Sequence, residues 1–212
     1  MKKGVVLLIT LFFITAISLL VLKNLDDTDI FLEKQNYIIN NTQVLLAIKN
    51  TKNEIAKLLL KYKHEINKAL DKDASKISVP INIEGLSIAF KLKKYSRVDI
   101  NDMKEESSKI VSDLFSNNDI FDYIEFKEIY KEKLQGSNQI VKSTKQVDDI
   151  ISAFILRSEN KQIEKIRDKL GFLSEENLYE LNIDTNYMGS QATSYYILDK
   201  EGKVKYFDIS FK

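Results

Sequence analysis

Residues 5 to 22, running Val5-Val6-Leu7-Leu8-Ile9-Thr10-Leu11-Phe12-Phe13-Ile14-Thr15-Ala16-Ile17-Ser18-Leu19-Leu20-Val21-Leu22, contain no charge, no glycine and no proline. A helix needs about 20 predominantly apolar residues to cross hydrocarbon, so this run predicts a transmembrane helix. Its three hydroxyl side chains, Thr10, Thr15 and Ser18, can bond back to their own helix. Lys2 and Lys3 precede the run, and Asp26, Asp27 and Asp29 follow it. The positive-inside bias then places the N-terminus in the cytoplasm and residues 23–212 outside. A cleaved secretory signal has an apolar core of only about 7–15 residues and a small-x-small cleavage site. Leu20-Val21-Leu22-Lys23 offers no such site.

No glycine lies between Gly4 and Gly85, and the single proline is Pro80. Nothing before about residue 73 therefore has to break a helix. Residues 23–75 are expected to carry the helix on beyond the membrane, with Ile38, Leu45, Ile48, Ile55, Leu59 and Ile66 at helical spacings amid Lys, Asn and Glu. Unbroken, such a rod would span roughly 100 Å at about 1.5 Å per residue.

After the turn-like cluster Asp71-Lys72-Asp73-Ala74-Ser75 the period changes to two. Ile77, Val79, Ile81 and Ile83 share one face, and Leu86, Ile88, Phe90 and Leu92 follow Glu84-Gly85. This predicts two strands or one bulged strand, with Pro80 favouring a sheet edge. Asp102, followed three residues later by Glu105, has the pattern of a helix start. Helical patterns then fill 103–115, about 119–134, about 145–157 and about 161–170, with Gly136 and Gly171 as stops. A short helix after Ser174 would carry Leu178 and Leu181. Tyr195 to Leu198, the turn at Asp199-Lys200-Glu201-Gly202, and Val204 to Phe211 form a hairpin signal. The expected class is α+β: a long N-terminal transmembrane helix, then an antiparallel sheet with a helical insertion at 103–182 inside a head spanning 76–212.

The chemistry available is narrow. Without cysteine the chain has no disulfides, thiolate zinc sites or cysteine nucleophiles. His64, the one histidine, falls on the long helix, so neither a serine triad nor a histidine metal cluster can be assembled. Asp148-Asp149 and Glu175-Glu176 read as solvated charges at helix starts rather than cation ligands. No calcium loop pattern of alternating oxygen ligands around a glycine occurs. Asn40-Asn41-Thr42 matches a glycosylation sequon but sits inside the predicted helix. The 32 basic and 31 acidic residues nearly cancel, so no global electrostatic footprint for nucleic acid follows. Tyr187, Tyr195, Tyr196, Tyr206, Phe207 and Phe211 could stack on single-stranded bases, but strand aromatics of this kind are more often sheet core and cross-strand pairs. No enzymatic activity, cofactor or metal ligand is expected.

Met1-Lys2-Lys3-Gly4, abutting the apolar run, resembles the type IV pilin-like leader. That resemblance implies a four-residue leader, residues 1–4, removed by a prepilin peptidase between Gly4 and Val5, with methylation of the new N-terminus. Ile9 stands at the fifth mature position, where most pilins carry glutamate. The K-type minor pseudopilin of type II secretion systems shares that departure. It opens with a run similar to Gly4-Val5-Val6-Leu7-Leu8 and inserts a helical region into its sheet. Strand Leu86 to Leu92, followed by Arg97-Val98-Asp99-Ile100-Asn101, is similar to the strand and Asn-Leu-Asn segment of that family. Leu173 to Leu181 resembles its Ser-x-x-Glu-Leu helix. The family's calcium sites are not carried over.

The resemblance implies a pilin-like sheet and a non-enzymatic subunit at the tip of a type II secretion or competence-type pseudopilus, serving protein secretion or DNA uptake in natural transformation. It would be single-pass in the bacterial inner membrane, with its head in the periplasm. Its partners would be other pseudopilins, the prepilin peptidase and the membrane, with no direct binding of nucleic acid. An unprocessed single-pass protein bearing an extracytoplasmic sensor or scaffold domain would need the same helix and no cut after Gly4.

Overall fold

The computed structural model describes the backbone of residues 2–72, 77–105, 108–134 and 139–212, and the side chains of those ranges except at 2–17, 19, 71, 72, 77 and 78. Helix α1 runs from Lys2 to Lys72. The apolar run at 5–22 is helical in its backbone, but most of its side chains lie outside the described residues. The cluster at 71–75 lies largely outside them, and Gly136 wholly so. Among the described residues no helix is long and apolar enough to cross a membrane.

The stripe that α1 buries is Val44, Ile48, Ile55 and Leu59; Ile38 and Leu45, expected on it, are exposed. The helix is also not the unbroken rod expected from the absence of breakers, because Tyr62 has φ −124° and ψ 32°, outside the helical region. No proline or glycine marks this bend. Its effect is packing: beyond it Ile66 and Leu70 join the same apolar cluster, and the Tyr179 hydroxyl donates to Asn67 Oδ1 at 2.7 Å. Tertiary contact outweighs helix regularity here.

Strands β1 (Ile77–Ile83) and β2 (Leu86–Lys94) pair antiparallel, from Ile77 opposite Leu92 to Ile83 opposite Leu86. Glu84 and Gly85 both have positive φ, which is what a two-residue hairpin turn requires, so two strands form rather than one bulged strand. Pro80 lies on the edge strand, where its missing donor costs no ladder bond.

The chain then leaves the sheet for its helical insertion. Strand β3 (Val98–Asp99) pairs in parallel with β4 (Leu170–Gly171), and the two close the base of the insertion. Between them lie a 3₁₀ helix (Ile100–Lys104), α2 (Ile110–Ser116), α3 (Tyr123–Lys133), α4 (Thr144–Ser158) and a second 3₁₀ helix (Lys161–Lys169). The helix expected from 103 to 115 is thus divided. Its cap is Asp99 rather than Asp102, because the Asp99 carboxylate accepts from the Asn101 backbone N–H at 2.8 Å. Phe115, Phe126 and Phe154 pack edge on or tilted at 4.9–6.2 Å in the core of the insertion.

The sheet resumes with β5 (Tyr179–Tyr187), β6 (Ser190–Leu198) and β7 (Val204–Phe211). The expected short helix carrying Leu178 and Leu181 is therefore a strand, and the insertion ends at residue 178 rather than 182. Tyr179, Leu181, Ile183 and Thr185 alternate toward one buried face, a period of two that the spacing of Leu178 and Leu181 concealed. The strand order is β1-β2-β5-β6-β7, antiparallel throughout. The fold is α+β, with the C-terminal part of α1 on one face of the sheet and the insertion on the other. Each face has its own core: Phe90, Leu181 and Leu198 pack with α1, and Ile197 packs with the insertion.

Candidate functional site

Two regions stand out for function, and the first is the N-terminal half of α1. From Leu20 to Ile39 this helix exposes Leu22, Leu25, Phe31, Leu32 and Ile38 among Asp26, Asp27 and Asp29. Packing onto the sheet begins only at Val44, and nearby Asn40 Nδ2 donates to the Met188 carbonyl at 3.4 Å. Gly4, Val5 and Ile9, the residues that the leader pattern singles out, belong to this helix in backbone, and their side chains lie outside the described residues. Along a straight helix Val5 would stand about 60 Å from Val44, at about 1.5 Å per residue. No other described residues pack against this stretch in the two apolar clusters.

The second region is a charged cleft of about 490 Å³ at the seam between the sheet and the insertion. Its base is built by strand register. Lys93 on β2 stands directly opposite Glu180 on β5, on the face turned away from α1. Glu180 is only 1% exposed. Lys93 Nζ donates to its Oε2 at 3.1 Å, while Arg97, just past the end of β2, donates from Nε to Oε1 at 2.8 Å and from Nη2 to Oε2 at 3.2 Å. Burial works most strongly against the Arg97 charge, but its hydrogen bonds to Glu180 together with the attraction of Glu180, Tyr195 and Tyr95 outweigh it and hold the guanidinium above its usual pKa. Arg97 also lies over the Tyr195 ring at 5.8 Å, and burial is the main reason that the Tyr195 phenol is pushed up. On the opposite wall Arg167 bridges Asp148 at 2.8 Å and Glu164 at 2.7 Å.

Asn101 fixes the wall behind this cleft. Its Oδ1 accepts from the Val141 N–H at 2.8 Å and from the Tyr130 hydroxyl at 3.2 Å, while its Nδ2 donates to the carbonyls of Val141 and Phe172. Tyr95 adds a second tie, its hydroxyl accepting from the N–H groups of Phe172 and Leu173. These bonds lock segments far apart in sequence. The Tyr130 hydroxyl, buried near Asp99 and Asp102, has its pKa raised to about 12, so it stays protonated as a donor.

The chemistry of this arrangement is that of anchoring. Glu180 faces two cations that satisfy its oxygens, and no group of three or more potential metal ligands occurs among the described residues. His64 is exposed on α1, away from the cleft. Asp148 meets Arg167, and Glu175 meets Lys205 at 2.8 Å, so one member of each flagged acidic pair serves in an ion pair. The C-terminal aromatics pair largely with one another: Tyr196 stacks on Phe207, and Tyr195 meets Tyr206 edge on. Glu180, Arg97 and Asn101 drew no functional reading from the sequence, since their partners are supplied by strand register and long-range packing. Compared with known proteins, the chain matches no family model, no curated sequence and no solved structure.

Proposed function

We propose that this chain is a non-enzymatic, pilin-like minor pseudopilin, the tip subunit of a type II secretion or competence-type pseudopilus. The observation that carries the reading is the division of labour along α1. Its C-terminal part packs on an antiparallel sheet, while the stretch from Leu20 to Ile39 leaves large apolar side chains exposed. Apolar side chains repeated along a projecting helix suit packing against the helices of other pseudopilins and, further toward the N-terminus, insertion in the inner membrane. A helical insertion on the far face of the sheet agrees with the K-type resemblance. The head would then lie in the periplasm and take part in protein secretion or DNA uptake.

The tip position follows from Ile9. A cut after Gly4 creates a charged amine at Val5 beside an apolar bundle, and an ionised group there is costly unless it is paired. Ile9 has no carboxylate to offer a subunit above it. The chain's own amine can still be met by a glutamate from a subunit added below, and that asymmetry suits the first subunit of an assembly.

Processing tests this reading. In cells with a prepilin peptidase the mature chain should begin at Val5, measured by mass spectrometry of membrane-extracted protein, and Gly4→Val should leave Met1 in place. An intact Met1 in the parent chain would favour the anchored sensor or scaffold. A second expectation concerns orientation: a periplasm-dependent reporter fused after Lys212 should be active, and the same fusion should gain no cytoplasmic activity. Cytoplasmic activity would overturn the topology together with the function.

A further inference from the structure

We propose that the outer edge of β7 receives an extended segment of a partner protein, added as a sixth strand, with alternating apolar and basic side chains. This goes beyond assembly through α1 and concerns a different surface. Among the described residues β7 is the last strand of the sheet, with no strand beyond it. The two edges differ. β1 carries Pro80, which lacks a donor and blocks continuous pairing. On β7 the register shifts opposite Ile197 and Leu198, leaving Lys205 as the bulged residue; from Tyr206 to Phe211 the strand contains no proline, glycine or lysine. Natural sheets blunt an edge with proline, charged side chains or a bulge; here the bulge at Lys205 closes one end of the stretch and Asp208 is the one charge within it.

The chemistry of the added strand follows from the two faces of this stretch. Tyr196 lies opposite Phe207 and belongs to the core beneath α1, so Phe207, Ile209 and Phe211 share the helix side of the sheet. That side extends past the cover of α1: Phe207 is 61% exposed and Phe211 is 40% exposed. Alternate apolar side chains on an added strand would cover them. Asp208 projects on the other side, is exposed, and has no ion-pair partner among the described residues. A basic side chain on the added strand would meet it.

A second copy of the chain is the weaker occupant. Antiparallel pairing of two β7 edges relates them by a twofold axis perpendicular to the sheet, which turns the two α1 helices to opposite directions. Two anchors could then not enter one membrane, an argument that rests on the anchored reading. Strand addition by a different segment carries no such constraint, and its backbone bonds supply affinity while side chains set the choice.

The test uses the full chain in detergent micelles and a fluorescent, end-capped heptapeptide of alternating valine and lysine. Binding should weaken about fivefold when glutamate replaces the peptide's lysines, the scale of opposed cross-strand charges. It should vanish when the central valine is N-methylated, and Asp208→Lys should reverse the preference toward the glutamate peptide. Asp208 is exposed, so the substitution tests charge without touching the core. Amide exchange should slow within Tyr206 to Phe211 when peptide is bound, and not in β1. Absence of binding, a charge preference unchanged by Asp208→Lys, or protection confined to other strands would overturn the proposal. None of these readouts depends on processing at Val5, so failure here and failure of the filament reading are distinguishable.

Discussion

Truncation after Gly189 should abolish the cooperative thermal transition of the chain, because β6 is the strand that both cores share. Ile197 is fully buried against the insertion, while Tyr196 and Leu198 are buried beneath α1. At about 1.5–3 kcal/mol for each large apolar side chain, the loss of these three alone comes to about 5–9 kcal/mol. The whole stability of a domain is about 5–15 kcal/mol, so the remainder has little left to fold with. The truncation also strips β5 of its ladder partner from Tyr179 to Tyr187. Far-ultraviolet circular dichroism during heating is the measurement. A truncated chain that melts cooperatively near the parent's midpoint would mean that α1, the insertion and the first hairpin form a self-sufficient fold.

The parts of this architecture that could be read from the sequence are those with local signals. Pro80 marked an edge strand, Glu84-Gly85 marked a break between two strands or a bulge within one, and the alternation after Asp199 marked the last hairpin. β5 was masked because Asn182, Asp184 and Asn186, poor strand formers, separate its buried residues, and because the charges at Glu175 and Glu176 imitate a helix start. In the centre of a sheet, cross-strand pairing on both sides overrides that preference. The bend at Tyr62 had no residue-type marker, being set by where the sheet lies under Ile66 and Leu70. Asn101 stood in the segment leading into an expected helix, but its role depends on Val141 and Phe172, 40 and 71 residues away. Glu180 fell in the stretch expected as a short helix, and its enclosure depends on its register partner Lys93 and the returning Arg97.

Glu180→Ala should lower stability by about 3 kcal/mol, the low end of the cost of breaking a buried ion pair. The buried member is the carboxylate; Lys93 and Arg97 keep 39% and 20% side-chain exposure, so the stranded cations can regain some water through the cleft. Arg97→Ala should cost more, since it leaves Glu180 at the base of the cleft with Lys93 as its single remaining charge partner. For a domain of this size about 3 kcal/mol corresponds to a fall of roughly 6–12 °C in the unfolding midpoint. The double variant Arg97→Met with Glu180→Leu separates two explanations of why the ions are kept. Well-packed apolar replacements of a buried pair are often neutral or stabilising, so the double variant should recover most of the loss. Urea unfolding of the parent, Arg97→Met, Glu180→Leu and the double variant closes the cycle and gives the coupling directly. A Glu180→Ala midpoint within error of the parent would show that water in the cleft, and not the ion pair, satisfies Arg97 and Lys93. If the double variant is stable, the charges are not required for folding, and their place at the base of the cleft between sheet and insertion points to recognition at that seam.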